Sequence, residues 1–438
     1  MNKPTMFISS PVDTYSGYGA RSRDFIKAVL KLDKYNVKLL SQRWGNTRFG
    51  YLNDHNEDEL YSLIVPQVDK KPEIWVQITV PNEFQPVGEY NIGVTAGIEA
   101  TLVDQSWIQG VNRMNLILTS SEHSKDVFLK TAWEVKDNRT GQITSKVQVN
   151  KPIEVLLEGA DLEKYQPKKS SFDLSMIKES FCFLVVGHWL KGEYGHDRKD
   201  IGFTIKSFLE TFKNKTNQPA LVLKTSHANT SLMDKSTLLN KIQSIKNTVK
   251  GKLPNVYVIH GDLTDSEIND IYNHPKIKAM VSLTRGEGFG RPLLEFSLIG
   301  KPIIASGWSG HLDFLDKQYT TLLNGKLEQL HPSSVQKNVL LPQAAWFKAD
   351  SIEVGKAYKN IFKHYKKYIT YAKKLRHQNK ANFSFDNMVF KLKKIFESSI
   401  PEFAQQVELT LPKLSLPKLN KPGASTPPAI KLPKLKKV

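Results

Sequence analysis

The segment TRGEGFGRPLLE, residues 284–295, is the most informative part of this 438-residue sequence. It follows an apolar run typical of a buried strand, residues 279–283, and it leads into a helical pattern over residues 292–299. Its three glycines allow a tight turn and a close approach to a ligand, and the N–H groups at the start of such a helix attract phosphate. The carboxylates of Glu287 and Glu295 could bind hydroxyl groups at the same place. The alternative is an ordinary strand-to-helix turn with a capping glutamate.

Strand and helix patterns alternate along most of the chain, which predicts an α/β fold with mainly parallel sheets. In the first half we expect strands over residues 6–10, 37–40, 74–78 and 116–119, a glycine-containing loop after the first of them, and helices over residues 20–32 and 124–129. In the second half we expect strands over residues 181–187, 220–224, 256–259, 279–283 and 302–305, and helices over residues 201–212, 266–272 and 292–299. A lysine-rich helical pattern then extends from about residue 352 to 398.

Two segments interrupt this alternation. Residues 132–150 read as a β-hairpin inserted in the first domain, because short alternating strands flank the turn sequence DNRTG. Residues 410–438 repeat Leu-Pro-Lys-Leu three times, and prolines this dense exclude a helix or a central strand. From Leu411 onward this tail has seven lysines and no acidic residue. We interpret it as disordered or polyproline-like, either a solvated end or a tether to an acidic partner.

The composition is that of a globular protein with a large excess of positive charge. Hydrophobic residues make up 40% of the chain, and no apolar run reaches the roughly 18 residues of a membrane span. The start of the sequence does not resemble a secretory signal, and the single cysteine, Cys182, lies in an apolar run and forms no internal disulfide. These features predict a cytoplasmic protein (in the host cytoplasm if the chain is viral), soluble or peripheral. The net charge of +19 favours nucleic acid, an anionic membrane surface or a phosphorylated ligand, unless it only reflects a lysine-rich proteome.

The segment from Glu287 to Glu295, followed by GKPIIAS at residues 300–306, resembles the signature of retaining glycosyltransferases of family 4. The resemblance covers roughly residues 6–397 and implies the GT-B fold, in which two Rossmann-like domains face each other across a donor cleft. Other segments that resemble the family follow in the order that it requires: Ser9-Ser10 with Gly17-Tyr18-Gly19, LTSSEHS at residues 118–124, LEGAD at residues 157–161, and Gly187 followed by Arg198-Lys199.

The resemblance also implies roles for individual residues. Lys199 and Arg198 would neutralise the diphosphate leaving group of a nucleoside diphosphate sugar. Glu295 would bind the ribose, and Glu287 would bind the transferred sugar. The other donor-binding positions are Phe289, Gly290 and Arg291, through backbone N–H groups, and Gly17 and Gly19, which would let the first-domain loop approach the donor.

One departure from the family concerns the cations of the donor site. His188 stands where the family often has an arginine, and the stretch 189–197 is longer than usual. One expected cation is therefore missing unless Lys191, His188 or Arg198 replaces it. The alternative for His188 is a structural histidine that lines the cleft.

The acceptor side is less specific. Glu99 and His123 follow strand ends of the first domain and could contact an acceptor hydroxyl or the sugar. A carboxylate near a helix start and a capping or structural histidine are the alternatives. Trp107 and Trp133 could stack on a sugar or a base, although core packing is the default for tryptophan.

The resemblance implies retaining transfer of a glycosyl group to a hydroxyl acceptor without a metal or other cofactor. In agreement with this, the sequence has no acid cluster or His/Cys spacing of metal-ligand type. The first hypothesis for the acceptor is a glycan, a lipid-linked or a small-molecule hydroxyl. The alternative is DNA with a hydroxymethylated pyrimidine, as for phage-type enzymes of the same general fold. A second alternative is a catalytically silent module that binds sugar nucleotides.

The predicted domain organisation has four parts, and the oligomeric state is left open. They are an acceptor domain over residues 1–172, a nucleotide-sugar domain over 173–375, C-terminal helices over 376–409 that pack back on the first domain, and the tail over 410–438.

Overall fold

The structure, a computed structural model, describes residues 3–137, 139–192, 194–227 and 230–403. The proline- and lysine-rich tail predicted for residues 410–438 lies outside the described residues. Within them, no helix combines the length and the apolar character needed to cross a membrane.

The first half of the chain forms a parallel sheet covered by helices. A central strand such as Ile74–Ile78 is buried at every position, as a strand covered on both faces must be. The strands of the first half are β1 (Thr5–Ser10), β2 (Asn36–Ser41), β3 (Ile74–Ile78), β4 (Tyr90–Thr95), β5 (Leu116–Thr119), β6 (Ala132–Lys136), β7 (Ile143–Gln148) and β8 (Ile153–Val155). The helices of the first half are α1 (Gly17–Leu32), α2 (Tyr51–Asp54), α3 (Asp58–Ser62), α4 (Gln105–Arg113) and α5 (Glu122–Lys130). The sheet has the order β2-β1-β3-β4-β5-β8, and β6 and β7 form a separate antiparallel hairpin.

The second half repeats this architecture in the order β11-β10-β9-β12-β13-β14, again with parallel neighbours. Its strands are β9 (Cys182–Val186), β10 (Ala220–Lys224), β11 (Val256–Ile259), β12 (Ile277–Ser282), β13 (Ile303–Ser306), β14 (Thr321–Leu323), β15 (Gly325–Gln329) and β16 (Ala345–Ala349), the last two paired with each other. Its helices are α6 (Ile201–Phe212), α7 (Leu232–Asn247), α8 (Asp265–Asn273), α9 (Arg291–Ser297), α10 (Ser351–Lys363), α11 (Tyr365–Asn382) and α12 (Phe385–Ser399).

The helix α12 crosses back to the first half. Its apolar side chains, among them Met388, Leu392 and Phe396, are buried in the core that also contains Phe25 of α1. The rings of Phe25 and Phe396 meet edge to face with centroids 6.3 Å apart. Residues close to the end of the described chain therefore help to complete the core of its first half.

The predicted α/β fold with two parallel sheets is confirmed, and several strands have the predicted bounds. The predicted loop at Gly17 and Gly19 is wrong, because α1 begins at Gly17 and the Ser16 hydroxyl accepts a bond from the Gly19 N–H at 2.8 Å. Helix α7 was not expected. The domain boundaries stay predictions.

Candidate functional site

Two residues implicated by the sequence follow neighbouring strands at one edge of the second sheet. In this sheet β10 lies on one side of β9 and β12 lies on the other. The strand order therefore reverses between β9 and β12, which makes the carboxyl ends of these two strands a topological switch point. Lys199 lies after β9, and Glu287 lies after β12. Ligands of open parallel sheets bind in the crevice at such points. The topology alone therefore places these two side chains at a candidate ligand site.

Four charged side chains form one cluster of ion pairs at this switch point. Glu287 Oε1 accepts a bond from Lys199 Nζ at 2.5 Å, and Glu287 Oε2 lies 3.2 Å from Arg198 Nη1. Arg198 Nη1 also lies 3.3 Å from Glu99 Oε1, which belongs to the first half. Burial raises the pKa of Glu287, but the charges of Lys199 and Arg198 outweigh it and lower this pKa to about 2. The site therefore holds an ionised carboxylate between two cations.

The backbone that presents these cations is held by a buried arginine that the sequence did not single out. Arg285 is 1% exposed, and its Nε lies 3.2 Å from Asp200 Oδ2. The backbone N–H of Arg285 donates to the carbonyl of Arg198 at 2.8 Å. Asp200 itself has a left-handed backbone with φ of 50°, a conformation that non-glycine residues seldom adopt. Arg285 therefore fixes the turn that carries Arg198 and Lys199.

The structure distinguishes the three candidates for the second cation. His188 Nδ1 lies 2.7 Å from Ser226 Oγ, and burial together with the charge of Lys199 lowers the pKa of His188 to about 4, so the ring is neutral at pH 7. Lys191 Nζ donates to the carbonyl of Val335 at 2.7 Å. Arg198 is the candidate that contacts Glu287.

The start of α9 carries a second charged cluster. Gly290 precedes the helix with φ of 97°, and neither glutamate caps the helix, so the alternative of a capping glutamate is wrong. Arg291 Nε lies 3.0 Å from Glu295 Oε1, and its Nη1 pairs with Asp24 of α1 and lies 3.5 Å from Glu158. Burial raises the pKa of Glu295 to about 7 despite the nearby Arg291. Arg291 therefore joins α9 to the first half.

Two glycines between these clusters allow the two halves to touch. A Cβ atom on Gly286 would lie 2.0 Å from the carbonyl oxygen of Glu99, and one on Gly288 would lie 2.1 Å from that of Ala96. The hydroxyl of Ser120 donates to the carbonyls of Ala96, at 2.6 Å, and of Gly288, at 3.2 Å. A side chain at either glycine would force the halves apart.

The predicted acceptor residues lie on the first-half side of this contact. Glu99 is engaged by Arg198, as described above. The ring of His123 meets Trp308 of the second half edge to face at 4.6 Å, and burial lowers the pKa of His123 to about 4. Its Nε2 is buried and has no hydrogen-bond partner among the described residues. His123 is therefore neutral at pH 7 and has a free polar atom at the junction of the halves.

The remaining predicted positions are not all at the cleft. A Cβ on Gly17 would meet nothing within 4 Å, whereas one on Gly19 would lie 2.3 Å from the carbonyl oxygen of Thr14. Phe289 is 3% exposed in the second core. Trp107 is buried in the core, and Trp133 Nε1 donates to the carbonyl of Val103 at 3.0 Å, so the core packing expected for both by default is what the structure shows.

An aromatic pair near the junction was missed in the sequence. The rings of Trp44 and Tyr18 stack with centroids 4.0 Å apart, and the Tyr18 hydroxyl accepts a bond from the Ala96 N–H at 3.1 Å. Arg48, in the same loop as Trp44, lies 3.4 Å from Asp262 of the second half. The alternation of arginine and aromatic residues in RWGNTRF, residues 43–49, was the available signal.

The sequence matches no protein-family model and no curated protein. Solved structures do match the fold. A glycosyltransferase from Rickettsia africae superimposes with a TM-score of 0.61 at 12% identity, covering 92% of this chain and 100% of its own. This is the GT-B fold.

Two further GT-B structures are similar over nearly their whole length. Sucrose-phosphate synthase from Thermosynechococcus elongatus has a TM-score of 0.57 at 10% identity, covering 91% of this chain and 99% of its own. HepE from Anabaena, solved in complex with UDP-glucose, has a TM-score of 0.58 at 12% identity, covering 90% of this chain and 100% of its own. The resemblance drawn from the sequence is therefore confirmed at the level of the fold.

Proposed function

We propose that this chain transfers a glycosyl group from a nucleoside diphosphate sugar to a hydroxyl acceptor, with retention at the anomeric carbon. The observation that carries the proposal is the cluster of Lys199, Arg198 and Glu287 at the switch point of the second sheet. Two cations at a crevice that the first half closes are suited to a diphosphate leaving group. A structure with the same fold, HepE, was solved with UDP-glucose bound.

Donor binding would replace the Glu287 carboxylate with the donor diphosphate as the anion that contacts Lys199 and Arg198. The Glu287 carboxylate lies between Lys199 and Arg198, and we infer that a donor diphosphate would bind at the same position. When phosphate oxygens take over these cations, Glu287 is released to accept bonds from sugar hydroxyls. Glu295 would bind the ribose, and the N–H groups at residues 289–291 would face the sugar and phosphate.

The proposed reaction needs no metal or other cofactor. The bond between the anomeric carbon and the leaving phosphate oxygen breaks, the acceptor oxygen bonds to the same face of that carbon, and the acceptor proton passes to the phosphate. Lys199 and Arg198 stabilise the charge that develops on the leaving group, and the contact between the halves excludes water from it.

We place the acceptor against the first half, between His123 and the stacked rings of Trp44 and Tyr18. The Nε2 of His123 is buried without a hydrogen-bond partner among the described residues, and it would bind an acceptor hydroxyl once the ring is uncovered. An aromatic face of the kind that Trp44 and Tyr18 present is suited to stacking on a sugar ring. Glu99 could also bind the acceptor once Arg198 contacts the donor diphosphate instead of Glu99.

The charge distribution favours an uncharged acceptor. Residues 3–155, which contain all strands of the first sheet, contain 18 basic and 18 acidic residues. The excess of +19 therefore does not arise on the side where the acceptor would bind. A glycan, lipid-linked or small-molecule hydroxyl stays the first proposal, and the DNA acceptor and the silent module stay alternatives.

The test is release of nucleoside diphosphate from a panel of sugar donors, with and without simple glycoside acceptors. We expect turnover with at least one donor, and a loss of about a hundredfold or more in kcat/KM for Lys199→Met and Glu295→Ala, since each removes a group that acts on the donor. Lys191→Met is the matched control, because Lys191 contacts the carbonyl of Val335 instead of Glu287. Full turnover in Lys199→Met would refute the site, and binding without turnover in the natural chain would favour the silent module.

A further inference from the structure

A large part of the positive charge of the described residues lies in α10 and α11. Residues 351–382, which include these two helices, contain nine basic residues and one acidic residue. Within α11 alone there are six lysine or arginine residues and no acidic residue. This part of the excess therefore lies on helices that pack against the second half of the molecule, while the seven lysines from Leu411 onward lie outside the described residues.

The lysines of α11 share one solvent-exposed face. Lys366, Lys373 and Lys380 are spaced seven residues apart, which puts successive ammonium groups about 10 Å apart along a nearly straight line. Lys367 and Lys374 form a second row beside the first. All five are exposed, and the exposed residues between them are Thr370 and His377. We call this surface the lysine face.

The opposite face of α11 is already occupied by the protein. Leu375 is buried in the second core, Asn379 Nδ2 donates to Ser297 Oγ at 2.8 Å, and Arg376 Nε donates to the carbonyl of Leu298 at 2.9 Å. Within α11, every residue of which is described, no large apolar side chain is exposed. A helix that binds in the plane of a membrane needs a free apolar face, which α11 does not have.

A surface hollow adjoins the lysine face. It has a volume of about 400 Å³ and is lined by Tyr319, Lys373, Lys374, His377 and Gln378. The ammonium of Lys374 lies 5.9 Å from the centroid of the Tyr319 ring. The hollow thus combines an aromatic ring with cations, which is the combination that stacks a nucleobase while the adjacent phosphates are neutralised.

We propose that the lysine face and the Tyr319 hollow bind a single strand of nucleic acid. The phosphate backbone runs along the two lysine rows, and one unpaired base enters the hollow and stacks on Tyr319. Regularly spaced lysines without acidic neighbours on their helix match a polyanion with regularly spaced charges. The proposal does not require the glycosyl-transfer activity, so the two can fail separately.

The experiment measures binding of a fluorescein-labelled oligothymidylate of 20 nucleotides to the full chain between 50 and 200 mM salt. We expect binding that weakens with salt, and a slope of log affinity against log salt that is smaller by about 1.4 in Lys373→Gln/Lys374→Gln, since each single-strand phosphate contact contributes about 0.7. Tyr319→Ala should weaken binding about five- to hundredfold without changing the slope, because it removes stacking and no charge. Nucleoside diphosphate release should be unchanged in both variants.

The matched control is Lys70→Gln/Lys71→Gln, another adjacent pair of exposed lysines, which lies in the first half. It removes the same charge and should leave the slope near that of the natural chain. No binding at 50 mM salt would overturn the proposal, and so would equal losses in the two double variants. Binding to vesicles that contain phosphatidylserine, without binding to the oligonucleotide, would assign the face to a membrane surface instead.

Discussion

At the scale of single residues, Glu287 is the group whose surroundings the sequence could least define. Its position after a strand and before a glycine turn was visible, and so was a basic pair upstream at Arg198 and Lys199. The sequence separates the two segments by almost ninety residues, and only the parallel order of β9 and β12 brings them together. The role of each residue could be proposed from the sequence, but their ion pairs could not.

The ion pairs of Glu287 make stability depend on pH. Its pKa is about 2 in the folded chain against an ordinary value of 4.5, so its contribution is present above about pH 4.5 and is lost as pH falls toward 2. We expect Glu287→Gln to lower the free energy of unfolding at pH 7 by about 3 kcal/mol, and by clearly less at pH 3.5. Urea unfolding at the two pH values measures both differences.

The control for this prediction is Glu154→Gln, which changes an exposed glutamate on β8. It should be nearly neutral at both pH values, as most exposed substitutions are. If Glu287→Gln were as stable as the natural chain at pH 7, the carboxylate would not be holding Lys199 and Arg198 in the folded protein.

At the scale of helices and strands, the buried parallel strands were the most predictable elements. Residues 74–78, 116–119 and 220–224 have the same bounds in prediction and structure, because a strand covered on both faces needs a mainly apolar run. The bounds of the edge strand at residues 256–259 also match, although this strand is only partly buried. Helix α7 was missed because only four of its 16 residues are buried, so its apolar pattern is weak. The glycines at residues 17 and 19 were misread as a loop, although the Ser16 cap marks a helix start.

The glycine turn before α9 gives a prediction at this scale. Gly288→Ala places a methyl group 2.1 Å from the carbonyl oxygen of Ala96, so the two halves cannot approach as they do in the structure. We expect nucleoside diphosphate release to fall about a hundredfold in kcat, since a displacement of about 1 Å in an active site can have that effect. Steady-state kinetics measures the loss, and hydrogen exchange should show weaker protection of the backbone amides at residues 96–99 and 286–288.

Gly355→Ala is the companion variant, because a Cβ at Gly355 comes no closer than 3.4 Å to another atom, the hydroxyl oxygen of Thr211. It lies within α10 and should keep both turnover and hydrogen-exchange protection. Unchanged turnover in Gly288→Ala would show that the observed contact between residues 96–99 and 286–288 is not needed for the reaction.

At the scale of the whole molecule, three features join the halves around the candidate site. Arg198 reaches Glu99, Arg291 reaches Asp24 and Glu158, and α12 returns to the first core. None of these contacts could be derived from sequence spacing, since each depends on how the two sheets face each other. The two-domain fold could be inferred from the resemblance to a family, whereas the contacts between the two halves are seen only in the structure.

The central claim is that the crevice at the carboxyl ends of β9 and β12 binds a nucleoside diphosphate sugar. The most direct measurement is the melting temperature of the natural chain and of Lys199→Met with a panel of uridine, thymidine, adenosine and guanosine diphosphate sugars. A donor present at one hundred times its Kd adds about 2.7 kcal/mol of stability, so at least one should raise the melting temperature of the natural chain by several degrees and that of Lys199→Met by much less. If no donor raises it, or if Lys199→Met responds as strongly as the natural chain, the claim is contradicted.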